Sequence, residues 1–373
     1  MKKILYIIPR FSTGGAERLV LSYARALPKH GFQVAVASTR GAPMSDRGVP
    51  TERRDGELLK QFENCGARVM VARKNYWQTL KALRALVKRW QPDIIHTHLF
   101  SADLSGYLLT RVLPLLGGGM EGVKWITTQH NQQAEAGVFR RLVWQKILRP
   151  ADAVIAVSES VAKFCRGFLL PERVMVIQNG IDLAPWLAVL NADLLAEPAL
   201  RLGIIGRLER AKGHEVLLQA LSKLSDTALV LHVIGDGRLQ AMLKRTARQL
   251  GIAARVQWHG TVADVPTLLG AVDVVVQPSA WEGNSLAVME AMAAGRVVIA
   301  SPAAGDGLIE HGETGFIAPA EPRALADAIR QVSQHRDEAR AMGQEARAYA
   351  EAHFSVQDHL KRLLQLYEAG RKH

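Results

Sequence analysis

Along the chain, short apolar runs alternate with longer stretches in which apolar residues recur every three or four positions. The runs at Ile4–Ile8, Val34–Ser38, Val69–Ala72, Ile94–His98, Trp125–Gln129, Val154–Val157 and Val174–Gln178 predict strands in the first half. Leu202–Ile205, Leu229–Ile234, Val256–His259, Val274–Gln277, Val297–Ala300 and Gly315–Ile317 predict strands in the second. Helical periodicity fills the gaps at Glu17–Lys29, Thr79–Trp90, Phe139–Leu148, Glu215–Leu224, Leu239–Leu250, Leu286–Ala294 and Pro322–Gln334. Strands that alternate with helices predict parallel sheets covered on both faces. Two consecutive sets are too many strands for one eight-stranded barrel and predict two doubly wound α/β domains.

The predicted boundaries are residues 1–183 for the first domain, 184–200 for a linker punctuated by Pro185 and Pro198, and 201–354 for the second. A closing helix over 355–373, with Leu360, Leu363, Leu364 and Tyr367 on one face, is expected to pack back on the first domain. Ligands of such sheets bind at the carboxyl ends of the strands, so a cleft between facing strand ends is expected.

Composition narrows the function. With 48% apolar and 22% charged residues the chain is globular rather than disordered. No apolar run reaches the ~18 residues that cross a bilayer. The five apolar residues before Pro9 fall short of the ~7–15 of a secretory signal, so a first strand and a cytoplasmic location are expected. Cys65 and Cys165 show no metal-site or disulfide pattern. Net charge is +12, and its distribution is uneven: residues 1–185 carry 27 basic and 14 acidic side chains, the remainder 20 and 21. Nucleic acid, an anionic membrane or phosphate-bearing substrates would each suit the basic half.

The richest chemistry lies in Trp281-Glu282-Gly283-Asn284-Ser285-Leu286-Ala287-Val288-Met289-Glu290, after the strand Val274–Gln277. Asn284 or Ser285 is expected to cap a helix whose first N–H groups form an anion site. A diphosphate ester there would place an outer sugar near Glu282 and a ribose near Glu290. An ordinary capped helix with an acidic flank is the plain alternative. Gly206-Arg207-Leu208-Glu209-Arg210-Ala211-Lys212-Gly213-His214 follows another strand, and its cations suit a pyrophosphate; solvated loop cations would look the same.

Gly14 and Gly15, after the first strand, would let backbone approach a ligand and open a helix, or simply make a tight turn. Gly235-Asp236-Gly237 reads as a strand–helix turn. His130 ends a strand and is placed to bond a hydroxyl or phosphate, or to be a structural histidine. His96 and His98 share a strand face, but no third ligand stands at metal-site spacing. No Asp-x-Asp pair is present to clamp a metal diphosphate. Two basic amphipathic stretches, one with Lys81, Arg84 and Lys88, the other with Arg140, Arg141, Lys146 and Arg149, could rest on anionic lipid or be solvated outer helices.

These motifs, with Ala156-Val157-Ser158-Glu159-Ser160, Asn179-Gly180-Ile181-Asp182 and Pro278-Ser279, stand in the order found in one enzyme family. From the first strand to about Ala318 the chain resembles the retaining nucleotide-sugar glycosyltransferases of family 4, which have the GT-B fold. His96–Ser101 and Gln129–Asn131 look like bacterial members that build cell-surface polysaccharide or lipopolysaccharide. The resemblance implies that Arg207 and Lys212 neutralise the donor diphosphate and stabilise the departing nucleotide. It implies that Glu282 contacts donor-sugar hydroxyls, that backbone N–H groups of Gly283, Asn284, Ser285 and Leu286 hold the sugar and β-phosphate, and that Glu290 bonds the ribose. Gly14 and Gly15 would let the first domain close on the phosphates, and His130 would bond the sugar or the reacting hydroxyl. Same-face attack and no metal requirement are further implications.

Two departures stand out. Gly307 occupies a position where glutamate is common in the family, and Asn284-Ser285 replaces the commoner aromatic–glycine pair.

The expectation is therefore an enzyme that moves a hexose or N-acetylhexosamine from a nucleotide diphosphate sugar, UDP-sugar before GDP-mannose, to a lipid-linked saccharide. It needs no cofactor and no nucleic acid, and its basic first domain is expected to hold the acceptor at the inner face of a bacterial plasma membrane while the second binds the nucleotide sugar. Competing expectations are a UDP-N-acetylglucosamine 2-epimerase on the same fold and a non-catalytic basic membrane- or nucleic-acid-binding module.

Overall fold

The computed structural model describes residues 1–11, 14–41, 52–114, 122–131, 137–189 and 199–369, with the side chains of 52–57 left aside. Ser12 and Thr13 of the first glycine loop, much of the expected linker, and 370–373 lie outside the described residues. The chain forms two compact units: unit 1 is Met1–Gln178 with Leu360–His373, and unit 2 is Asn179–His359.

Unit 1 holds seven strands: β1 (Lys2–Ile8), β2 (Phe32–Ser38), β3 (Arg68–Met70), β4 (Ile94–His98), β5 (Lys124–Gln129), β6 (Ala153–Ala156) and β7 (Val174–Val176). They form one sheet in the order β3-β2-β1-β4-β5-β6-β7, and each pairing is parallel. Alternation along β1 fills two cores at once. Ile4, Tyr6 and Ile8 enter one and Leu5 and Ile7 the other, so both faces of the sheet are buried.

Leu80, Leu83, Val87 and Trp90 belong to the second core. The helix Tyr76–Trp90 therefore buries these four apolar side chains, while Trp77 and Arg89 are exposed. Lys81 and Lys88 are exposed and Arg84 is half-buried. The apolar residues expected beside these cations are thus core residues. The closing helix Val356–Glu368 sends Leu360, Leu363, Leu366 and Tyr367 into the first core. Lys124 Nζ donates to the Leu366 and Ala369 carbonyls at 2.5 and 2.7 Å, and satisfies the end of that helix.

Unit 2 holds β8 (Leu200–Ile205), β9 (Leu229–Ile234), β10 (Val256–Gly260), β11 (Val274–Gln277), β12 (Val297–Ala300) and β13 (Phe316–Ile317), ordered β10-β9-β8-β11-β12-β13 and parallel throughout. Cores again lie on both faces, one including Leu202, Leu217 and Ile299, the other Val275, Met289 and Val298. Each buried side chain of this size stabilises by roughly 1.5–3 kcal/mol.

In both sheets the chain starts in the middle, winds to one edge and returns to wind to the other. The direction reverses between β1 and β4 and between β8 and β11. Helices on opposite faces leave a crevice at such a reversal, which is where open α/β sheets take their ligands.

Candidate functional site

The loops that leave β8 and β11 carry the chemistry of unit 2. After β8 the backbone turns through Gly206 (φ 151°) and a short 3-10 turn, Arg210–Lys212, to Gly213 (φ 72°), where the helix His214–Leu221 begins. A Cβ on Gly213 would sit 2.1 Å from the Pro278 carbonyl oxygen, so glycine is what lets the two loops touch. Ala280 N donates to Ala211 O at 2.8 Å across the same seam.

The Gly235-Asp236-Gly237 segment does more than turn the chain. Asp236 O accepts from Leu208 N at 3.1 Å, and a Cβ on Gly235 would fall 2.0 Å from Gly206 O. The segment is the wall on which the Gly206–Gly213 loop is folded.

Lys212 Nζ forms an ion pair with Glu282, and Ser279 Oγ donates to the same Glu282 oxygen at 3.0 Å. Ser279 is fixed in turn, since its carbonyl accepts from Ser301 Oγ at 2.6 Å. The expected diphosphate cation and the expected sugar carboxylate are thus brought together and held. Arg207 is not: its guanidinium pairs with Glu209 at 3.1 Å and its side chain is 72% exposed.

The helix Leu286–Ala293 opens without the expected side-chain cap. Ser285 occupies the cap position, but its Oγ is buried and has no partner. Asn284 turns its Oδ1 to Asn179 N (3.2 Å), and its Nδ2 is also buried without a partner. Gly283 is buried, Leu286 begins the helix, and Glu290 lies buried just over one turn further on. Leaving a buried amide or hydroxyl without a bond costs roughly 1–3 kcal/mol, so these two side chains present hydrogen-bonding atoms to an occupant of the helix mouth. Asp306 Oδ2 and Gln277 Oε1 are further buried acceptors without partners.

His214 closes the motif that begins at Gly206, and no role was expected of it. It is buried, both ring nitrogens lack partners, and burial beside the Lys212 charge pushes its pKa down to about 4. It is therefore neutral at physiological pH.

In unit 1 Gly14 sits just before the helix Gly15–Ala26 with an ordinary extended backbone (φ −76°). A Cβ there would meet only the end of the Glu17 side chain, at 2.3 Å, which a change of rotamer relieves. His130, after β5, bonds through Nε2 to His98 Nδ1 at 2.9 Å, with the rings stacked 5.2 Å apart. His96 bonds Tyr367 Oη and Thr128 Oγ1 at 2.6 and 2.7 Å, so it serves the packing of the closing helix. Among the described residues no group of three or more His, Cys, Asp or Glu is placed to hold a metal.

The helix Val138–Leu148 buries Trp144, Ile147 and Leu148 but leaves Val138, Phe139 and Leu142 exposed beside Arg140 and Arg141. Here the structure does leave an apolar and basic face outward.

Two family models match: Glycosyltransferase Family 4 over residues 13–185 and Glycosyl transferases group 1 over residues 192–349. The chain belongs to the family 4 glycosyltransferases. This family 4 member is 25% identical over 330 residues to the Escherichia coli UDP-Gal:alpha-D-GlcNAc-diphosphoundecaprenol alpha-1,3-galactosyltransferase, covering 81% of this chain and 80% of that one. It is 28% identical over 248 residues to the lipopolysaccharide core mannosyltransferase LpsB of Rhizobium meliloti, covering 62% and 69%. Anabaena Alr3699/HepE, solved with UDP and glucose, superposes with a TM-score of 0.82 at 22% identity, covering 99% and 100%. The fold is GT-B, as the residues of the glycine, Lys212 and Glu282 loops led one to expect.

Proposed function

We propose that this family 4 glycosyltransferase moves a hexose or N-acetylhexosamine, with retention of configuration, from a UDP-sugar to a lipid-linked saccharide. The observation that carries the reading is the mouth of the helix Leu286–Ala293, where buried Asn284 Nδ2 and Ser285 Oγ lack partners beside the Lys212–Glu282 pair. Helix N–H groups and Lys212 suit the β-phosphate, Glu282 suits sugar hydroxyls, and Glu290 suits the ribose. Arg207 would have to leave Glu209 to join them.

In the proposed step the acceptor hydroxyl oxygen bonds to the anomeric carbon as the bond from that carbon to the β-phosphate oxygen breaks. The hydroxyl proton passes to the departing phosphate. Charge grows on the diphosphate, so stabilising it is the main electrostatic task, and Lys212 does this without a metal. The likeness to a UDP-galactose-dependent galactosyltransferase favours UDP, and the likeness to the mannosyltransferase LpsB keeps GDP-mannose as the competing donor.

The exposed Val138, Phe139 and Leu142, flanked by Arg140 and Arg141, support a seat on anionic lipid at the inner membrane face. No helix among the described residues is long and apolar enough to cross a membrane. Val138→Ser with Phe139→Ser is expected to lower flotation with anionic vesicles; unchanged flotation removes this part of the reading.

The central test is a thermal-shift panel of nucleotides followed by kinetics. UDP at 100 times its Kd should add ~2.7 kcal/mol to stability. Lys212→Ala should lower kcat by about 10²–10³ while changing donor affinity far less. No shift with any nucleoside diphosphate, or a Lys212→Ala variant with normal kcat, defeats the proposal.

A further inference from the structure

A groove of about 710 Å3 opens in unit 2 beside β13, the edge strand of its sheet. Val332 comes to it from the helix Pro322–Gln334, and Ala339 and Met342 from the helix Arg336–His353. With half-buried Phe316 and Tyr349 they make an apolar floor. The rim is acidic: Glu310, Glu313, Glu338 and Glu345 all line the groove and all are exposed. None of the described lining residues is Lys or Arg.

This combination follows from helical spacing. Glu338, Met342, Glu345 and Tyr349 stand at i, i+4, i+7 and i+11, which is one stripe of a helix. Cations of the same helix are engaged elsewhere, Arg340 with Asp337 at 2.9 Å and Arg347 with Glu351 at 3.3 Å. The carboxylates therefore gather around an apolar surface without a guanidinium or ammonium group on the wall. A fitting occupant carries apolar side chains and positive charge together.

Unit 1 presents that chemistry. Among the described residues eight large apolar side chains are exposed, and three of them, Val138, Phe139 and Leu142, stand on the helix Val138–Leu148. They fall at i, i+1 and i+4, on one side of the helix. The helix and the residue that ends it carry Arg140, Arg141, Lys146 and Arg149, and no acid. The Arg140 and Arg141 guanidinium groups lie 4.8 and 4.5 Å over the rings of Phe100 and Phe164. Stacking of this kind holds each group in place and leaves its N–H edge for a carboxylate.

We propose that the groove receives the Val138–Leu148 helix of a second copy of this chain. Val138, Phe139 and Leu142 would cover the apolar floor, and Arg140 and Arg141 would meet the glutamates of the rim. The two surfaces belong to different units, so the contact is heterologous: each copy gives a helix and a groove, and the copies join in a ring or a chain. The inference does not rest on the transferase reading. A helix seated in a groove cannot also lie on lipid, so self-association and the membrane seat exclude one another.

Sedimentation equilibrium of the full chain without lipid is the test. The average mass is expected to climb above that of one copy as concentration rises, and less steeply at high salt. Arg140→Glu with Arg141→Glu, and separately Glu338→Lys with Glu345→Lys, should each weaken association at least tenfold, because like charges then face one another. Mixed in equal amounts, the two variants should associate again. The acidic helix of the first then meets the basic groove of the second, and the basic helix of the second meets the acidic groove of the first.

A wild type that is monomeric throughout overturns the proposal and leaves the helix to lipid. So does association that survives either reversal, or a mixture no heavier than its separate parts. The Tm of each variant reports whether it folds. Where a reversal lowers Tm, Glu338→Gln with Glu345→Gln takes its place, and unweakened association in that variant overturns the proposal equally.

Discussion

Behind the strand ends of unit 1, buried polar side chains are tied to one another. The Asp103 carboxylate accepts from Thr97 Oγ1, Thr127 Oγ1 and Gln129 Nε2 at 2.6–3.0 Å, and from Trp144 Nε1 at 3.4 Å. Tyr6, Tyr367, His96 and Thr128 form a second chain of bonds. At the corresponding ends of unit 2, Asn284 Nδ2, Ser285 Oγ, Gln277 Oε1, Asp306 Oδ2 and both nitrogens of His214 are buried with no partner. The two sheets follow one winding rule, yet among the described residues more of the unpartnered buried atoms gather at the strand ends of unit 2, while in unit 1 Arg10 Nε, beyond β1, is one of the few. Closed networks give rigidity, while open ones give up stability that a ligand can restore.

The largest effect that could break this contrast is expected in unit 1. Asp103→Ala removes the acceptor shared by four donors and should destabilise that unit by about 3 kcal/mol or more, read as an early unfolding transition in urea. A loss below about 1 kcal/mol would mean that the network is not what holds β4 to β5. Burial raises the Asp103 pKa against the four bonds that lower it, a sign of how far the carboxylate is from water.

A pH titration sharpens the unit 2 side. The His214 pKa is near 4 in the folded protein and ~6.5 when unfolded, so below 6.5 the unfolded chain binds the proton more readily. Stability is therefore full above about pH 6.5 and falls as pH drops towards 4, by up to roughly 3 kcal/mol for this group. His232, whose pKa is also lowered by burial, acts in the same direction. Tm measured from pH 7.5 to 4.5 should decline, and His214→Leu should flatten the decline; an equal slope in the variant would show that His214 is not its source.

The smallest effect is the most discriminating. Ser285→Ala deletes a buried hydroxyl that bonds nothing in the free protein, so Tm should hold or rise by the equivalent of about 1 kcal/mol, while donor KM rises about tenfold. A fall in Tm with unchanged KM would make Ser285 a structural residue and the two units alike.

How much of this was legible depends on what each residue's role requires. Strand positions came through because parallel strands buried on both faces are apolar nearly throughout, as in Val274–Val276 and Val297–Ala300. The long helix Arg336–His353 escaped because its inward face is small: Ala339, Met342, Gly343, Ala346 and Ala350. A Cβ on Gly343 would lie 2.6 Å from Gly295 O, so close packing replaces bulk, and hydrophobic periodicity is faint. The helix Phe100–Tyr107 escaped for the opposite reason, since it buries Asp103 and Ser105, whose environment is made by β4 and β5. The Lys212 and Glu282 loops were legible through their glycines and charges. What spacing did not show is that Glu282, the expected sugar contact, pairs with Lys212, and that Arg207 pairs with Glu209.

The order of residues alone determined two parallel α/β sheets, the loops that would carry charge, and a basic first half. Those are consequences of local periodicity, turn chemistry and composition, which act within a few residues of one another. Tertiary structure decided which polar atoms are satisfied and which are left open. Asn284 meets Asn179, and Arg40 comes to stand with Arg73, only when strands far apart in sequence lie side by side. Hydrogen bonding and burial are settled by distance in space, and no spacing along the chain specifies that distance.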